Sequence, residues 1–160
     1  MKVIRPKMQD YGIHESREGM LTWDFVDEQM AQSRNYWIGT TRPDGRPHAA
    51  PVWGVWLDGH LYFGTSPNAR KARNLDNNPA LVVHLESGDD VVILEGTAVK
   101  LTEMPPNLYE TFSTAYAAKY AGFKPNAPSE NEPIYTLRIQ TAMAWQEKNF
   151  PQSATRWEFD

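Results

Sequence analysis

The sequence contains no cysteine. That excludes a disulfide framework, a zinc knuckle, a thiol nucleophile and a cysteine-held iron–sulfur cluster. No apolar run approaches the roughly 20 residues of a spanning helix, and the start, MKVIRPKMQDYG, lacks the apolar stretch of a secretory leader. A cytoplasmic protein with no membrane partner is expected. Excess positive charge is missing as well: a net charge of -4 and a pI near 5.6 offer no general attraction to a polyanion, so nucleic acid is not an expected partner. The chain has no Gly-x-Gly-x-x-Gly turn, Walker loop or nucleophile elbow, which sets aside dinucleotide folds and serine hydrolases. Its histidines, His14, His48, His60 and His84, fall without metal-ligand spacing, so no metal site is expected.

What is present fits one globular domain over 1–160, with residues 1–20 as a polar N-terminal arm. Trp23, Val26 and Met30 recur at helical spacing behind Thr22, which predicts a packing helix to about Arg34. Tyr36 to Thr41, Arg46 to Leu57 and His60 to Thr65 are β-rich runs separated by Pro43-Asp44-Gly45 and Asp58-Gly59, the chemistry of hairpin turns. Ser66 to Leu75 reads as a turn and a brief helix ending at Asn77-Asn78-Pro79. Further strands are expected at Leu81 to Glu86, Val91 to Leu101, Ile134 to Gln140 and Met143 to Glu147, with a helix at Leu108 to Tyr120 opened by Pro105-Pro106. Short strands with tight turns and few helices point to a mainly β, closed antiparallel barrel with peripheral helices, because closure removes exposed edges.

Two segments carry chemistry. In Thr65-Ser66-Pro67-Asn68-Ala69-Arg70-Lys71, a helix starting near Asn68 would put Arg70 and Lys71 in its first turn, where the free N–H groups and the dipole disfavour cations. A bound phosphate would resolve the conflict, accepting from those N–H groups, from the Thr65 and Ser66 hydroxyls and from both basic side chains. The competing reading is a solvated basic turn paired with surface acids such as Asp76. In the second segment, Pro47 to Leu57, alternation puts Ala50, Val52, Gly54 and Trp56 on one face and Pro51, Trp53 and Val55 on the other. Gly54 inside a strand marks the close approach of a ligand or another backbone, or makes room for Trp53 or Trp56, and Pro51 suits an edge or a bulge.

Gly39-Thr40-Thr41 through Arg46-Pro47, then Pro51 to Trp56, Leu61 to Thr65, Arg70-Lys71, Asn78-Pro79 and Glu95-Gly96-Thr97-Ala98 together resemble the pyridoxamine 5'-phosphate oxidase-like superfamily, nearest to its flavin or deazaflavin oxidoreductase branch. The resemblance implies a six-stranded split barrel that forms a homodimer and binds FMN in clefts at the subunit interface. It matches Ala50, Pro51, Val52, Trp53, Gly54 and Val55 to the strand lining the flavin ring, Gly64 and Thr65 to the pair beside the ribityl phosphate, and Arg70 and Lys71 to the phosphate-binding pair. Trp145 and Arg156 look like the tryptophan and arginine that reach the cofactor from the C-terminal strands. Two departures argue against pyridoxamine phosphate as substrate. The C-terminal Arg-x-His pattern is replaced by Arg156-Trp157-Glu158, and the basic and serine residues of the long helix are missing from Tyr109 to Tyr116.

The expected function is a flavin-dependent oxidoreductase acting on a small planar or conjugated molecule, with the cofactor carrying the chemistry and no obligatory acid or base side chain. The alternatives are the same fold with a deazaflavin, a flavin or haem carrier without turnover, and an empty barrel acting as a dimeric scaffold.

Overall fold

The computed structural model describes all residues, 1–160. Nine strands form one antiparallel sheet: β1 (Lys2–Ile4), β2 (Tyr36–Thr41), β3 (Pro47–Val52), β4 (Gly54–Leu57), β5 (His60–Gly64), β6 (Ala80–His84), β7 (Asp90–Leu101), β8 (Ile134–Gln146) and β9 (Thr155–Glu158). Four helices lie around it: α1 (Trp23–Gln32), α2 (Arg70–Asn77), α3 (Pro106–Lys119) and the single turn α4 (Phe150–Ser153). None of them is long and apolar enough to cross a membrane.

The expected closed six-stranded barrel is not what forms. The pairing path runs β1-β9-β8-β7-β6-β2-β3 and stops, while β4 pairs only with β5, and β5 joins the sheet through β8. Two features keep it open. β8 is thirteen residues long and pairs with β7 along its length, so its other edge serves β5 at Ile134–Thr136 and β9 at Thr141–Ala144. The other free end, β3, carries Pro47 and Pro51, whose missing N–H groups blunt it as an edge.

Three further expectations change. The run Arg46 to Leu57 is two strands broken at Trp53, and the two C-terminal runs are one strand. The N-terminal arm, for its part, contributes β1, which pairs with β9. Behind β1 the Arg5 guanidinium donates to the carbonyls of Ser16, Glu18, Gln152 and Ala154, tying the arm to the C-terminal turn.

Alternation assigns the faces. Tyr36, Ile38 and Thr40 of β2 point inward and are buried, as are Leu81 and Val83 of β6. They meet Val26 and Met30, one helical turn apart on α1, around Trp157, which is 1% exposed. A second cluster forms where Phe112, Tyr116 and Tyr120, spaced four residues apart along α3 and its C-cap, cover Val55, Tyr62 and Ile134. Gly96 is required by a close approach: a Cβ there would lie 2.0 Å from the Arg138 carbonyl oxygen, where the β7–β8 register shifts between Glu95 and Gly96.

Candidate functional site

The loop from β5 to α2 is organised by its own polar groups. The Asn68 amide donates to Ser66 Oγ at 3.3 Å and the Ala69 amide to the Ser66 carbonyl at 2.9 Å, so the chain turns before the helix begins. Ala69 is the N-cap, with no side-chain cap bond, and Arg70 is the first helical residue, with Lys71 next. No acidic residue occupies that first turn. Ala72, Asn74 and Leu75 face inward and are buried, which leaves Arg70 exposed and Lys71 half-buried. Asn74 Nδ2 donates to Thr40 Oγ1 at 3.0 Å, a buried bond that seats α2 on β2.

This seating brings together groups that are distant in sequence. Thr40 is paired in register with His48 of β3, and Arg42 follows β2 by one residue. Burial holds the His48 imidazole below its ordinary value, and the charges of Arg42, Lys71 and Arg70 push it the same way. None of Arg42, Arg70 and Lys71 forms an ion pair. Asp76, the acid that could have neutralised a basic turn, pairs instead with Lys100 at 3.2 Å. Three cations without ion pairs of their own therefore act on one imidazole, with the exposed Asp44 carboxylate within reach of the Arg42 charge. Arg42 and His48 were not singled out from sequence as anion ligands. Only the β2–β3 register and the Asn74–Thr40 bond place them near α2.

Beside this cluster, β3 presents Ala50, Pro51 and Val52, of which Pro51 is exposed and Val52 buried. Trp53 then interrupts the strand and is 43% exposed. Its ring stacks on Tyr120 at 4.5 Å between centroids, with Arg34 over it at 5.7 Å. Gly54 and Val55 are buried in β4. A Cβ at Gly54 would sit 2.8 Å from the Tyr62 carbonyl, so the close approach there is that of the β5 backbone. Gly54 is clamped from α3: its N–H donates to Tyr120 Oη at 2.9 Å and its carbonyl accepts from Lys119 Nζ at 2.9 Å, while the one Tyr120 hydroxyl proton has the Arg34 carbonyl at 2.7 Å and the Gly54 carbonyl at 2.8 Å as alternative acceptors. Lys119 also donates to Tyr36 Oη at 2.8 Å. Burial, with Arg34 adding to it, brings the Lys119 ammonium down to about 8, and burial pushes Tyr116 up to about 12. The i, i+4 spacing of Phe112, Tyr116 and Tyr120 was visible in the sequence, but the role of Lys119 beside it was not.

Gly64, Thr65 and Ser66 form one wall of a cavity of about 630 Å³. Trp53, Phe112, Tyr116 and Phe123 supply its aromatic surface, with Lys124 and Glu132 at its polar side. Above Gly64 the space is open: a Cβ there would meet nothing within 4 Å. Trp145 and Arg156 lie elsewhere, on β8 and β9. Trp145 packs edge-on against Phe150 at 5.6 Å, and Arg156 pairs with Glu158 at 3.3 Å. Neither shares a hydrogen bond or ion pair with Arg70 or Lys71 in the single chain.

Among solved structures, a conserved hypothetical protein from Mycobacterium tuberculosis superposes with a TM-score of 0.66 at 21% identity, covering 88% of this chain and 90% of that one. An F420 reductase superposes at 0.57 with 20% identity, over 72% of this chain and 94% of the other. A heme binding protein from Mycobacterium smegmatis gives 0.60 and 21%, over 78% of this chain and 54% of that chain. At these identities the likeness establishes the fold. No curated protein matches the sequence. Residues 22–146, most of the chain and all of the elements from α1 to β8, match the family described as pyridoxamine 5'-phosphate oxidase, and the chain belongs to that family.

Proposed function

We propose that this chain is a flavin-dependent oxidoreductase that holds FMN in a cleft completed by a second copy of itself. The observation that carries the reading is the start of α2. Arg70 and Lys71 stand where a helix disfavours cations, with no acid in the turn and no ion-pair partner. The donor set suits a phosphate: two cations, the free N–H groups of the first turn, and the Thr65 hydroxyl in the approach from β5. Ser66 Oγ accepts from Asn68 and still has its own proton to donate. The FMN phosphate would bind here, with the ring extending along Ala50 to Val55 past Gly64.

Support for the second copy comes from the outer face of the sheet. Trp37 and Gly39 of β2, Ala49 and Pro51 of β3 and Val82 of β6 share that face by register, with His84 opposite Trp37 and Glu95 opposite Val82. The small Gly39 and Ala49 beside the Trp37 ring suit the packing of a dimer. In such a dimer Trp145 and Arg156 of one protomer would approach the cleft of its partner. When bound, the flavin supplies hydride transfer to and from a small substrate. The protein's own part is to anchor the phosphate through Arg70 and Lys71 and to hold the strand at Gly54 through Tyr120 and Lys119. Trp53, Phe112 and Tyr116 keep an aromatic surface beside the cleft, which favours a planar acceptor.

The test is reconstitution of the purified protein with FMN and with the deazaflavin, compared with the double variant Arg70→Ala, Lys71→Ala. The parent should bind FMN and show two visible absorption bands, whereas the double variant should stay folded and colourless. Equal retention of FMN by parent and variant overturns the phosphate assignment. Preferential uptake of the deazaflavin, seen as a single main band, would replace FMN as the cofactor.

A further inference from the structure

The cations around His48 extend beyond the helix start. His48 lies on β3, opposite Thr40 of β2, and the Thr40–Asn74 bond holds α2 against the same place. Arg42, from the end of β2, and Arg70 and Lys71, from the start of α2, are close enough to act on the imidazole. Of the other charged groups nearby, Asp44 and Arg46 of the β2–β3 turn are exposed and pair at 2.7 Å, Asp44 also feels the Arg42 charge, and Glu95 lines the same cavity as His48. Within the cluster, two donor atoms are shielded from solvent and unpartnered: Arg42 Nε and His48 Nδ1. Buried nitrogens are rarely left without a partner, because each forfeits its hydration for nothing. Asn74 Oδ1, an acceptor at the same α2–β2 seat, is unpartnered too, and an oxyanion would satisfy the two nitrogens.

We propose that Arg42 and His48 complete the anion site begun by Arg70 and Lys71, and that His48 takes up a proton as a terminal phosphate monoester seats among the four. The proposal rests on the flavin reading, and it names the ionisation state that the site selects. A monoester loses its second proton near about pH 6 and is a dianion at neutrality. In the free protein burial, and after it the charges of Arg42, Lys71 and Arg70, disfavour the imidazolium of His48. A dianion outweighs that repulsion, so the bound state favours the imidazolium, which then donates to a phosphate oxygen. A ligand without the phosphate gives His48 no reason to ionise.

Proton uptake on binding makes affinity fall as pH rises, by up to about tenfold per pH unit for one proton. The experiment measures FMN and riboflavin binding from pH 6 to 9 by quenching of flavin fluorescence. Proton uptake is read by calorimetry in two buffers of different ionisation heat. In the parent, FMN affinity should fall above neutrality with uptake approaching one proton, and riboflavin should bind more weakly without pH dependence. His48→Asn should flatten the FMN profile and abolish the uptake. Arg42→Gln should weaken FMN by about tenfold while preserving the slope. Circular dichroism establishes that each variant is folded, and His48→Gln replaces the asparagine variant if that one is not. Should parent and His48 variant bind FMN with the same pH profile and no uptake, the proposal is overturned and the flavin reading stands. Failure of the parent to bind FMN at any pH overturns both.

Discussion

Trp53 and Tyr120 stack with their rings 4.5 Å apart and within 4° of parallel, and the same tyrosine hydroxyl accepts from the Gly54 N–H at 2.9 Å. The break between β3 and β4 is therefore a held feature: Tyr120 pins the glycine and supports the tryptophan that turns outward. Tyr120→Phe keeps the stack but leaves the buried Gly54 N–H without its acceptor. It should lower stability by about 1–3 kcal/mol, read as a shift in the urea midpoint. Trp53→Ala, on a half-exposed ring, should cost only about 1 kcal/mol.

Lys119 gives a pH dependence with a definite sign. Its folded value, about 8, lies below the ordinary lysine value of 10.5. Between these two the unfolded chain binds the proton and the folded chain does not, so stability rises with pH from about 8 toward 10.5. Below about 8 both states are charged and the cost of burying the ammonium is present in full. Tyr36 and Tyr116, raised by burial, act oppositely at higher pH, since they stay protonated in the fold while the unfolded chain ionises. Denaturant melts of the parent should therefore show a gain between pH 8 and 9.5 that is absent in Lys119→Met. Parallel curves for the two proteins would contradict the assignment.

Gly96→Ala places a methyl against the Arg138 carbonyl, a backbone atom that cannot swing away. The β7–β8 pair, the longest in the sheet, must shift, at a cost of about 3 kcal/mol. Loss of amide exchange protection in β7 and β8 before the rest of the sheet would confirm it.

Thr40→Val removes the buried acceptor of Asn74 while conserving shape. The expected cost is about 1–3 kcal/mol. Because the bond seats α2 on β2, the variant should also weaken FMN binding although no anion ligand is altered. Unchanged affinity in a destabilised variant would show that the helix keeps its position without this bond.

Local chemistry made most of the elements legible. Asp58-Gly59 marked the β4–β5 hairpin, Pro106 opened α3, and the β-rich run Tyr36 to Thr41 before the Pro43-Asp44-Gly45 turn matches β2 to the residue. Trp53 illustrates the limit. Alternation carries a strand straight through it, and nothing local reveals that Tyr120, sixty-seven positions on, holds the ring and the next peptide apart from the ladder.

By itself the sequence determined the run of β2, the Asp58-Gly59 hairpin, the placement of Arg70 and Lys71 at a helix start, and the exclusion of thiol chemistry. Each of these depends on residues close together in the chain. Tertiary structure alone decided that the sheet stays open, because that depends on which free edges meet. It also decided that Arg42 and His48 join the cations of α2, because strand register and one buried hydrogen bond bring them there, and neither can be read from spacing.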